Sequence, residues 1–300
     1  MENKAIVSKK SIFAENWTQF ASLVKFKLTI TVVFSAVIAF LISIPKDSNE
    51  IGYGVLLLFM GGFFITSAAN ILNEVLERDY DRLMKRTAVR PLVTGKISVT
   101  NAILLAGIFS VLGILILSFF NPLSGVLGAL SLVSYAFLYT PLKRITPWAV
   151  AVGALPGALP TMIGCVAATG HIDSTALTLF TVQFLWQFPH FWAIAWVGDD
   201  DYKNAGFYLL PTKDGNKSNV VGLNSLIVSL FLFPVIVLYD LHSGVSLVST
   251  AIVLIMSLGY TIFSYRLFRQ NDKKSALGLM FYSFFYLPFV LFIYLIDKLV

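Results

Sequence analysis

Charged side chains are scarce in this sequence. Asp, Glu, Lys and Arg make up 13% of the 300 residues, and 57% of the residues are hydrophobic. Soluble domains carry about 25% charged residues. A chain with so little polar surface cannot cover a core in water, which excludes soluble enzymes and soluble binding domains. With a mean hydropathy of +0.80, the composition predicts an integral membrane protein.

Cysteine and histidine are also scarce, and this excludes several cofactor sites. Cys165 is the single cysteine, so an intrachain disulfide, a Cys-x-x-Cys metal site and a covalent haem attachment are ruled out. Of the three histidines, only His190 falls within a predicted span, which argues against a bis-histidine cytochrome b. The first 23 residues have no continuous apolar stretch, so we expect no removable signal peptide.

Long apolar segments, in contrast, are abundant. A helix needs roughly 20 apolar residues to cross about 30 Å of hydrocarbon. The candidate spans are 28–45, 52–72, 99–120, 122–141, 148–169, 175–197, 219–239, 243–264 and 276–296. We therefore predict an all-α polytopic membrane helical bundle of about nine transmembrane helices, in which residues 1–300 form a single domain. The short gaps after 120 and after 239 predict tight hairpins.

The basic residues are distributed unevenly between the predicted loops. If the N-terminus is cytoplasmic, 20 of the 22 Lys and Arg residues lie on the cytoplasmic side. The positive-inside rule therefore predicts a cytoplasmic N-terminus. The same distribution explains the net charge of +6 without nucleic acid as a partner. Within the cytoplasmic N-terminal segment 1–24, apolar residues at near-helical spacing predict a short interfacial helix. They are Ile12, Phe13, Trp17, Phe20 and Leu23.

Polar residues concentrate in two predicted cytoplasmic loops, 73–98 and 198–218. The first begins with Asn73, Glu77 and Asp81, which turn by only about 40° per step on a helix and so share one face. Carboxylate and amide oxygens suit Mg²⁺ that is shared with substrate phosphates. Cations suited to a diphosphate follow this stripe. They are Lys85, Arg86 and Arg90. A solvated helix end followed by purely topological charges fits the same residues.

The second loop begins with three consecutive aspartates, Asp199, Asp200 and Asp201. Acidic residues do little for membrane topology, so these aspartates are candidates for the rest of a metal site, although a solvated acidic cap has the same sequence. His190 lies about two turns before the end of the same span. An ionisable residue at this depth is a candidate functional group, and a histidine hydrogen-bonded to a neighbouring helix is the alternative.

A third polar cluster ends the fourth predicted span and consists of Tyr139, Lys143 and Arg144. Alone, it fits an ordinary positive-inside loop. Because it shares a membrane face with the two acidic loops, we predict that all three clusters form one site that opens towards the cytoplasm. Pro156 and Pro160 interrupt the fifth predicted span, which indicates either a broken helix lining a substrate chamber or close helix packing.

These residues carry a family resemblance. The spacing Asn73-x-x-x-Glu77-x-x-x-Asp81 resembles the Asn-x-x-x-Asp-x-x-x-Asp motif of the intramembrane aromatic prenyltransferases, the UbiA superfamily. Further strings look like the superfamily's basic turn after helix four and like its protoheme IX farnesyltransferase branch. They are Tyr139-x-Pro141-x-Lys143-Arg144, Met84-x-Arg86-Thr87-x-x-Arg90-Pro91-Leu92, Trp186-Gln187-x-Pro189-His190-Phe191 and Asp201-Tyr202-x-x-Ala205-Gly206.

The resemblance implies a Mg²⁺-dependent prenyltransferase that moves the farnesyl group of farnesyl diphosphate to a vinyl group of haem b, giving haem O. Haem b is then a substrate rather than a cofactor. The implied catalytic metal ligands are Asn73, Glu77, Asp81 and Asp201, with Asp200 as a second choice. The implied diphosphate ligands are Lys85, Arg86, Arg90, Tyr139, Lys143 and Arg144. The implied haem-binding residues are Trp186, Gln187 and His190, with His190 as an axial iron ligand.

Two positions depart from the family pattern. Glu77 stands where the general motif has Asp, which keeps the charge and lengthens the ligand arm. Val197 stands four residues before Asp201, where the superfamily has an aspartate. The second departure leaves open which of the three aspartates that follow binds metal.

Two other functions fit parts of the sequence. A sibling prenyltransferase acting on 4-hydroxybenzoate or a quinone precursor has the same metal chemistry and differs in the acceptor. A transporter also has many apolar spans, although transporters bind substrates near the midplane. The resemblance further implies a multi-pass protein of the bacterial plasma (inner) membrane. It is compatible with a haem A synthase or an oxidase assembly factor as partner, to which no residue pattern here points.

Overall fold

A computed structural model describes residues 14–49, 51–212 and 217–300. These residues form helices and contain no β-strand, which confirms the predicted all-α membrane fold. A helix at 14–23, α1, comes first. The others are α2 Phe26–Ser43, α3 Ile51–Asp81, α4 Val99–Ser118, α5 Pro122–Leu142, α6 Ala149–Thr169, α7 Ser174–Val197, α8 Asp199–Asn204, α9 Val220–Ser243, α10 Leu247–Gln270 and α11 Lys273–Leu299.

Eight of the described helices are long and apolar enough to cross a membrane. Helix α7 matches the predicted sixth span in position but is not among the eight. The count of nine spans and the cytoplasmic N-terminus therefore stay predictions. Helix α6 is the most enclosed candidate span, with 78% of its apolar window buried. It packs against α2, α5 and α7, so these helices surround the centre of the bundle.

Side-chain caps fix where several helices begin. Ser98 accepts a hydrogen bond from the backbone of Asn101, and Asn121 caps α5 just before Pro122. Ser, Asn and Asp are favoured at this position because their side chains satisfy free backbone N–H groups. Asp272 starts α11 with a capping box. Local sequence thus defines the starts of these helices.

The predicted hairpin at 239–243 is misplaced. Helix α9 continues to Ser243, and the turn to α10 begins at Gly244, whose φ of 75° suits a residue without Cβ. Asp240 and His242 interrupt the apolar pattern, so hydropathy ended the predicted span too early. The helix continues because Asp240 is buried and accepts a hydrogen bond from the Tyr294 hydroxyl at 3.1 Å. The predicted hairpin between α4 and α5 is present, with 119–121 as the connection.

The two prolines of the fifth predicted span do not break helix α6. Pro160 has no N–H, which leaves the carbonyl of Pro156 without its partner inside the helix. Ser131 on α5 donates to that carbonyl at 3.3 Å. A neighbouring helix thus satisfies the freed group. The structure therefore favours close helix packing over a broken helix.

Parts of two predicted segments, and one residue between two predicted spans, lie outside the described residues. These parts are residues 1–13 of the N-terminal segment 1–24, Glu50, and residues 213–216 of the loop 198–218. The predicted interfacial helix is described from residue 14 onwards, so Ile12 and Phe13 lie outside it. Within the described part, Leu23 is buried and Trp17 is exposed, although both belong to the predicted apolar set, so the interfacial role of this helix stays a prediction.

Candidate active site

The polar stripe predicted at the end of helix α3 is buried. Asn73, Glu77 and Asp81 all lie beneath the protein surface, and Glu74 is buried beside them at 1% exposure. Carboxylates inside a membrane protein are costly unless they are paired, and they mark functional sites. We call Asn73, Glu74, Glu77 and Asp81 the carboxylate face.

Arg90 joins two members of the carboxylate face. Its Nη1 donates to Asp81 Oδ2 at 2.6 Å, and its Nε lies 3.5 Å from Glu74 Oε1. The Arg90 side chain is 15% exposed. Burial alone lowers the pKa of Arg90, but Glu74 and Asp81 outweigh burial and raise the pKa above its ordinary value. Arg90 is therefore a permanent cation within the site.

Two lysines contact the other two members of the carboxylate face. Lys143 Nζ lies 2.5 Å from Glu77 Oε1, and Lys25 Nζ donates to Asn73 Oδ1 at 2.7 Å. Burial opposes the charge of Lys143, but Glu77 outweighs burial and raises its pKa. Burial, reinforced by the charge of Arg90, lowers the pKa of Lys25 to about 7. The site thus holds two firmly charged cations and one lysine that loses its proton readily.

A local distortion of helix α5 brings Tyr139 and Lys143 to the site. Residues Ser134–Tyr139 form a π-helical turn, and such turns are frequent at functional sites. Lys143 Nζ lies 4.8 Å from the centre of the Tyr139 ring. Asn73 donates to Thr140 Oγ1 at 3.1 Å and so attaches this turn to the carboxylate face. The structure therefore brings the first and third polar clusters together.

The second polar loop contacts the other two clusters. Arg86 Nη2 donates to the Tyr202 hydroxyl at 3.5 Å. The backbone N–H of Tyr208 donates to the carbonyl of Lys143 at 2.7 Å. Residues from all three predicted clusters therefore meet at one end of the helical bundle, which is the arrangement that a shared site requires.

The three consecutive aspartates differ in their surroundings. Asp199 is buried, and its Oδ2 lies 2.9 Å from Lys203 Nζ and 3.7 Å from Lys217 Nζ. Asp200 is exposed, and Asp201 is half-buried. Two lysines already engage Asp199, which leaves Asp201 and Asp200 as the better metal-ligand candidates. Their assignment stays a prediction.

Several predicted diphosphate ligands lie at the surface. Lys85 and Arg86 are exposed. Arg144 is also exposed, its guanidinium lies 4.3 Å from the centre of the Tyr80 ring, and it donates to the Tyr80 hydroxyl. These cations are exposed, whereas Arg90 and Lys143 are largely buried against the carboxylate face.

The donor set of the carboxylate face fits Mg²⁺. Asp81 Oδ1 and Glu74 Oε2 are buried oxygens without a hydrogen-bond partner among the described residues. Carboxylate oxygens are the ligands that Mg²⁺ prefers, and it usually completes its shell with water and substrate phosphates. Within the described ranges, no three His, Cys, Asp or Glu side chains form a complete metal site. A metal bound here thus needs ligands from substrate or water.

The predicted haem-binding residues lie on helix α7. His190 is 9% exposed, its Nδ1 lies 2.7 Å from Ser283 Oγ, and the Trp186 ring stacks on it at 4.5 Å between centres. Gln187 is buried and donates to the backbone carbonyl of Ala154 at 3.1 Å. Gln187 therefore ties α7 to α6. A haem contact of Gln187 stays a prediction.

Sequence reasoning missed Glu74 and Lys25. The spacing of Asn70, Glu74, Glu77 and Asp81 is the i, i+4, i+7, i+11 pattern of one helix face, so Glu74 was recognisable. Lys25 counted only as a topological charge. Its φ of 48° is uncommon for a residue other than glycine and marks a constrained position, which the sequence does not reveal.

Comparison with known families decides the class of this site. The UbiA prenyltransferase family model matches residues 31–285. The chain belongs to the UbiA prenyltransferase family. This confirms the resemblance drawn from the carboxylate and basic motifs. The prenyltransferase class and the membrane fold follow from membership of the family.

Similar proteins cover almost the whole chain. A protein of Cytophaga hutchinsonii named protoheme IX farnesyltransferase is 42% identical over 95% of this chain and 99% of its own length. A protein of Flavobacterium psychrophilum with the same name is 39% identical over 96% of each chain.

Solved structures support the fold. A structure of digeranylgeranylglyceryl phosphate synthase has a TM-score of 0.80 at 18% identity, covering 95% of this chain and 99% of that one. A UbiA homologue from Archaeoglobus fulgidus bound to GPP and Mg²⁺ has a TM-score of 0.67 at 17% identity, covering 90% and 99%. At these identities the likeness establishes the shared fold alone.

Proposed function

We propose that this chain transfers the farnesyl group of farnesyl diphosphate to a vinyl group of haem b and so makes haem O. The observation that carries the proposal is its 42% identity, over 95% of the chain, to a relative named protoheme IX farnesyltransferase. The whole chain, 1–300, acts as one domain. Its substrates are farnesyl diphosphate and haem b, and the chain is embedded in the lipid bilayer.

The carboxylate face is the metal-binding half of the active site. Asn73, Glu77 and Asp81 hold Mg²⁺ together with Asp201 or, as a second choice, Asp200. The A. fulgidus homologue bound to GPP and Mg²⁺ supports this metal. When bound, the metal neutralises charge on the diphosphate and so assists its departure.

The cations of the site hold the leaving group. Arg90 and Lys143 are the inner pair, and both lie next to the carboxylates that the metal needs. Contacts to diphosphate oxygens stabilise the charge that builds as the C–O bond breaks. The exposed cations Lys85, Arg86 and Arg144 guide the anionic head towards the site.

The C1–O bond of farnesyl diphosphate breaks, and its electron pair leaves with diphosphate, so that an allylic cation remains. The π-electron pair of the haem vinyl group forms the new C–C bond to C1. Water adds to the resulting cation beside the porphyrin and loses a proton, which gives the hydroxyl group of haem O. Apolar helix walls exclude other water from the allylic cation.

Helix α7 supplies the haem-binding side of the site. His190 is the candidate axial ligand, and the stacked Trp186 ring supports it. Gln187 supports the helix through its bond to α6. We place the site at the cytoplasmic face of a bacterial plasma membrane, because the positive-inside rule puts the polar loops there.

The test is farnesyl transfer by the purified protein in detergent with haem b, farnesyl diphosphate and Mg²⁺, followed by mass spectrometry. We expect the mass of haem O. Asp81→Asn and EDTA should each abolish the product. Asp79→Asn is the matched control, because Asp79 lies two residues earlier on the same helix with its side chain 71% exposed.

Other acceptors distinguish the remaining functions. Prenylation of 4-hydroxybenzoate with no haem product would assign the chain to a sibling reaction. The absence of transfer to any acceptor would contradict a prenyltransferase and favour a transporter. Full activity of Asp81→Asn, with haem O still formed, would remove the carboxylate face from the mechanism.

A further inference from the structure

One hydrogen-bond chain inside the bundle fixes how His190 is oriented. His190 lies seven residues before the end of α7 at Val197, which places it about 10 Å along the helix from that end. Its Nδ1 lies 2.7 Å from Ser283 Oγ on α11. Ser283 is fully buried, so water does not compete for this contact.

The direction of this hydrogen bond follows from the next link in the chain. Ser283 Oγ also lies 2.6 Å from the carbonyl oxygen of Met280. A carbonyl can only accept, so the single hydroxyl proton of Ser283 points to Met280. Ser283 must then accept from His190, and Nδ1 carries a proton. In the neutral ring, Nε2 is consequently an unprotonated acceptor.

The same serine also fixes the position of the ring. Trp186 Nε1 donates to the carbonyl of Ser283 at 2.9 Å, and the Trp186 ring stacks on His190. The Tyr260 hydroxyl on α10 donates to the carbonyl of Trp186 at 2.8 Å. Residues one turn apart on α7 are thus both bound to one residue of α11. Neither the tilt nor the rotation of the imidazole is left free.

We infer that Ser283 is a positioning residue that holds His190 as the Nδ1–H tautomer and so keeps the Nε2 lone pair available to the iron of the haem substrate. The role of iron rests on the proposed function. An imidazole binds iron through an unprotonated nitrogen, and the hydrogen bond on its other nitrogen sets the tautomer and strengthens the ligand. Among the described residues, the His190 ring makes its hydrogen bond to Ser283 through Nδ1, which leaves Nε2 outside this contact.

The tautomer can be measured without haem. The chain has three histidines, so ¹⁵N-histidine labelling in detergent gives few signals, and His190→Gln identifies the one of interest. We expect the Nδ1–H form in the wild type and a mixture in Ser283→Ala. Ser283→Thr keeps the hydroxyl and should restore the single form. Ser264→Ala is the matched control, because Ser264 is equally buried and bonds only within α10.

Haem titration then tests the link to iron. Ser283→Ala should weaken haem b binding about 10- to 100-fold and shift the Soret band, whereas Ser264→Ala should not. An Nε2–H signal in the wild type would overturn the inference regardless of activity. A Soret band unchanged in His190→Ala, with farnesyl transfer intact, would overturn the iron-ligand role and leave the proposed function standing. Absence of haem O from the wild type would contradict the proposed function, while the tautomer measurement would still stand.

Discussion

Arg90 is the residue whose replacement tests the charge arrangement of the site most directly. It contacts Asp81 at 2.6 Å and Glu74 at 3.5 Å through two different nitrogens. Arg90→Gln removes the charge and most of the donors, whereas Arg90→Lys keeps the charge but not the fork geometry. The two variants therefore separate the effect of charge from that of shape.

The expected magnitude follows from two terms. In catalysis, one charge-assisted hydrogen bond to the leaving diphosphate is worth about 1.5–3 kcal/mol, which is about 10- to 150-fold in kcat. In stability, removing one partner of a buried ion pair costs about 3–5 kcal/mol. Arg90→Gln should show both losses. Arg90→Lys should keep part of each, because a single ammonium cannot bridge Asp81 and Glu74.

The assay is the initial rate of haem O formation at saturating substrates, combined with thermal unfolding in detergent. Arg82→Gln is the control, because the Arg82 side chain is 53% exposed and pairs only loosely with Asp79 at 3.9 Å. A large loss of stability with wild-type kcat would make Arg90 purely structural. That result would refute the assignment of Arg90 to the leaving group.

Three further predictions come from the same structure. Lys25→Met should raise the KM for farnesyl diphosphate about tenfold, because it removes a cation beside Asn73. The control is Lys27→Met at an exposed position, and equal KM values for the two variants would contradict this prediction. Gly164→Ala should lower the unfolding temperature and cost about 1–3 kcal/mol of folding free energy, because the new Cβ would clash with the Ala36 carbonyl oxygen. Gly107→Ala is the control, because a Cβ there has open space. Equal unfolding temperatures for the two variants would refute the close packing of α2 on α6. Inorganic diphosphate should tighten Mg²⁺ binding to the protein about 5- to 150-fold in calorimetry. An equal Mg²⁺ affinity with and without diphosphate would argue against a transfer of the site's cations from the carboxylates to the phosphate oxygens.

The sequence predicted those features of the site that depend on local spacing. A helix carries Asn73, Glu77 and Asp81 on one face whatever it packs against, and the structure buries all three. Apolar segments of membrane-spanning length likewise indicated the long helices, because the bilayer imposes their length. The end of α9 was misplaced because Asp240 and His242 interrupt the apolar pattern before the helix ends at Ser243.

Features that depend on distant contacts could not be predicted. Lys25 reaches Asn73 across 48 positions of sequence, and nothing in its neighbours distinguishes it from a topological lysine. The π-helical turn Ser134–Tyr139 has no composition signal. Asp199 is buried and paired with Lys203 and Lys217, whereas the adjacent Asp200 is exposed, and three identical residues in a row give no sign of this difference. Such contacts form only when the helices pack, and they cannot be predicted from a single sequence.

Charge balance explains why metal and diphosphate should bind together. Without substrate, the carboxylates Glu74, Glu77 and Asp81 are matched by three cations, so the buried site is close to neutral when Lys25 is protonated. Mg²⁺ alone would have to displace these cations into surroundings that offer them no partner, and diphosphate alone would leave the carboxylates unpaired. If both bind, the cations would move to the phosphate oxygens, and the proposed metal would take their place on the carboxylates. The buried charge would then change little, and the residues that pair with the carboxylates in this structure would hold the leaving group.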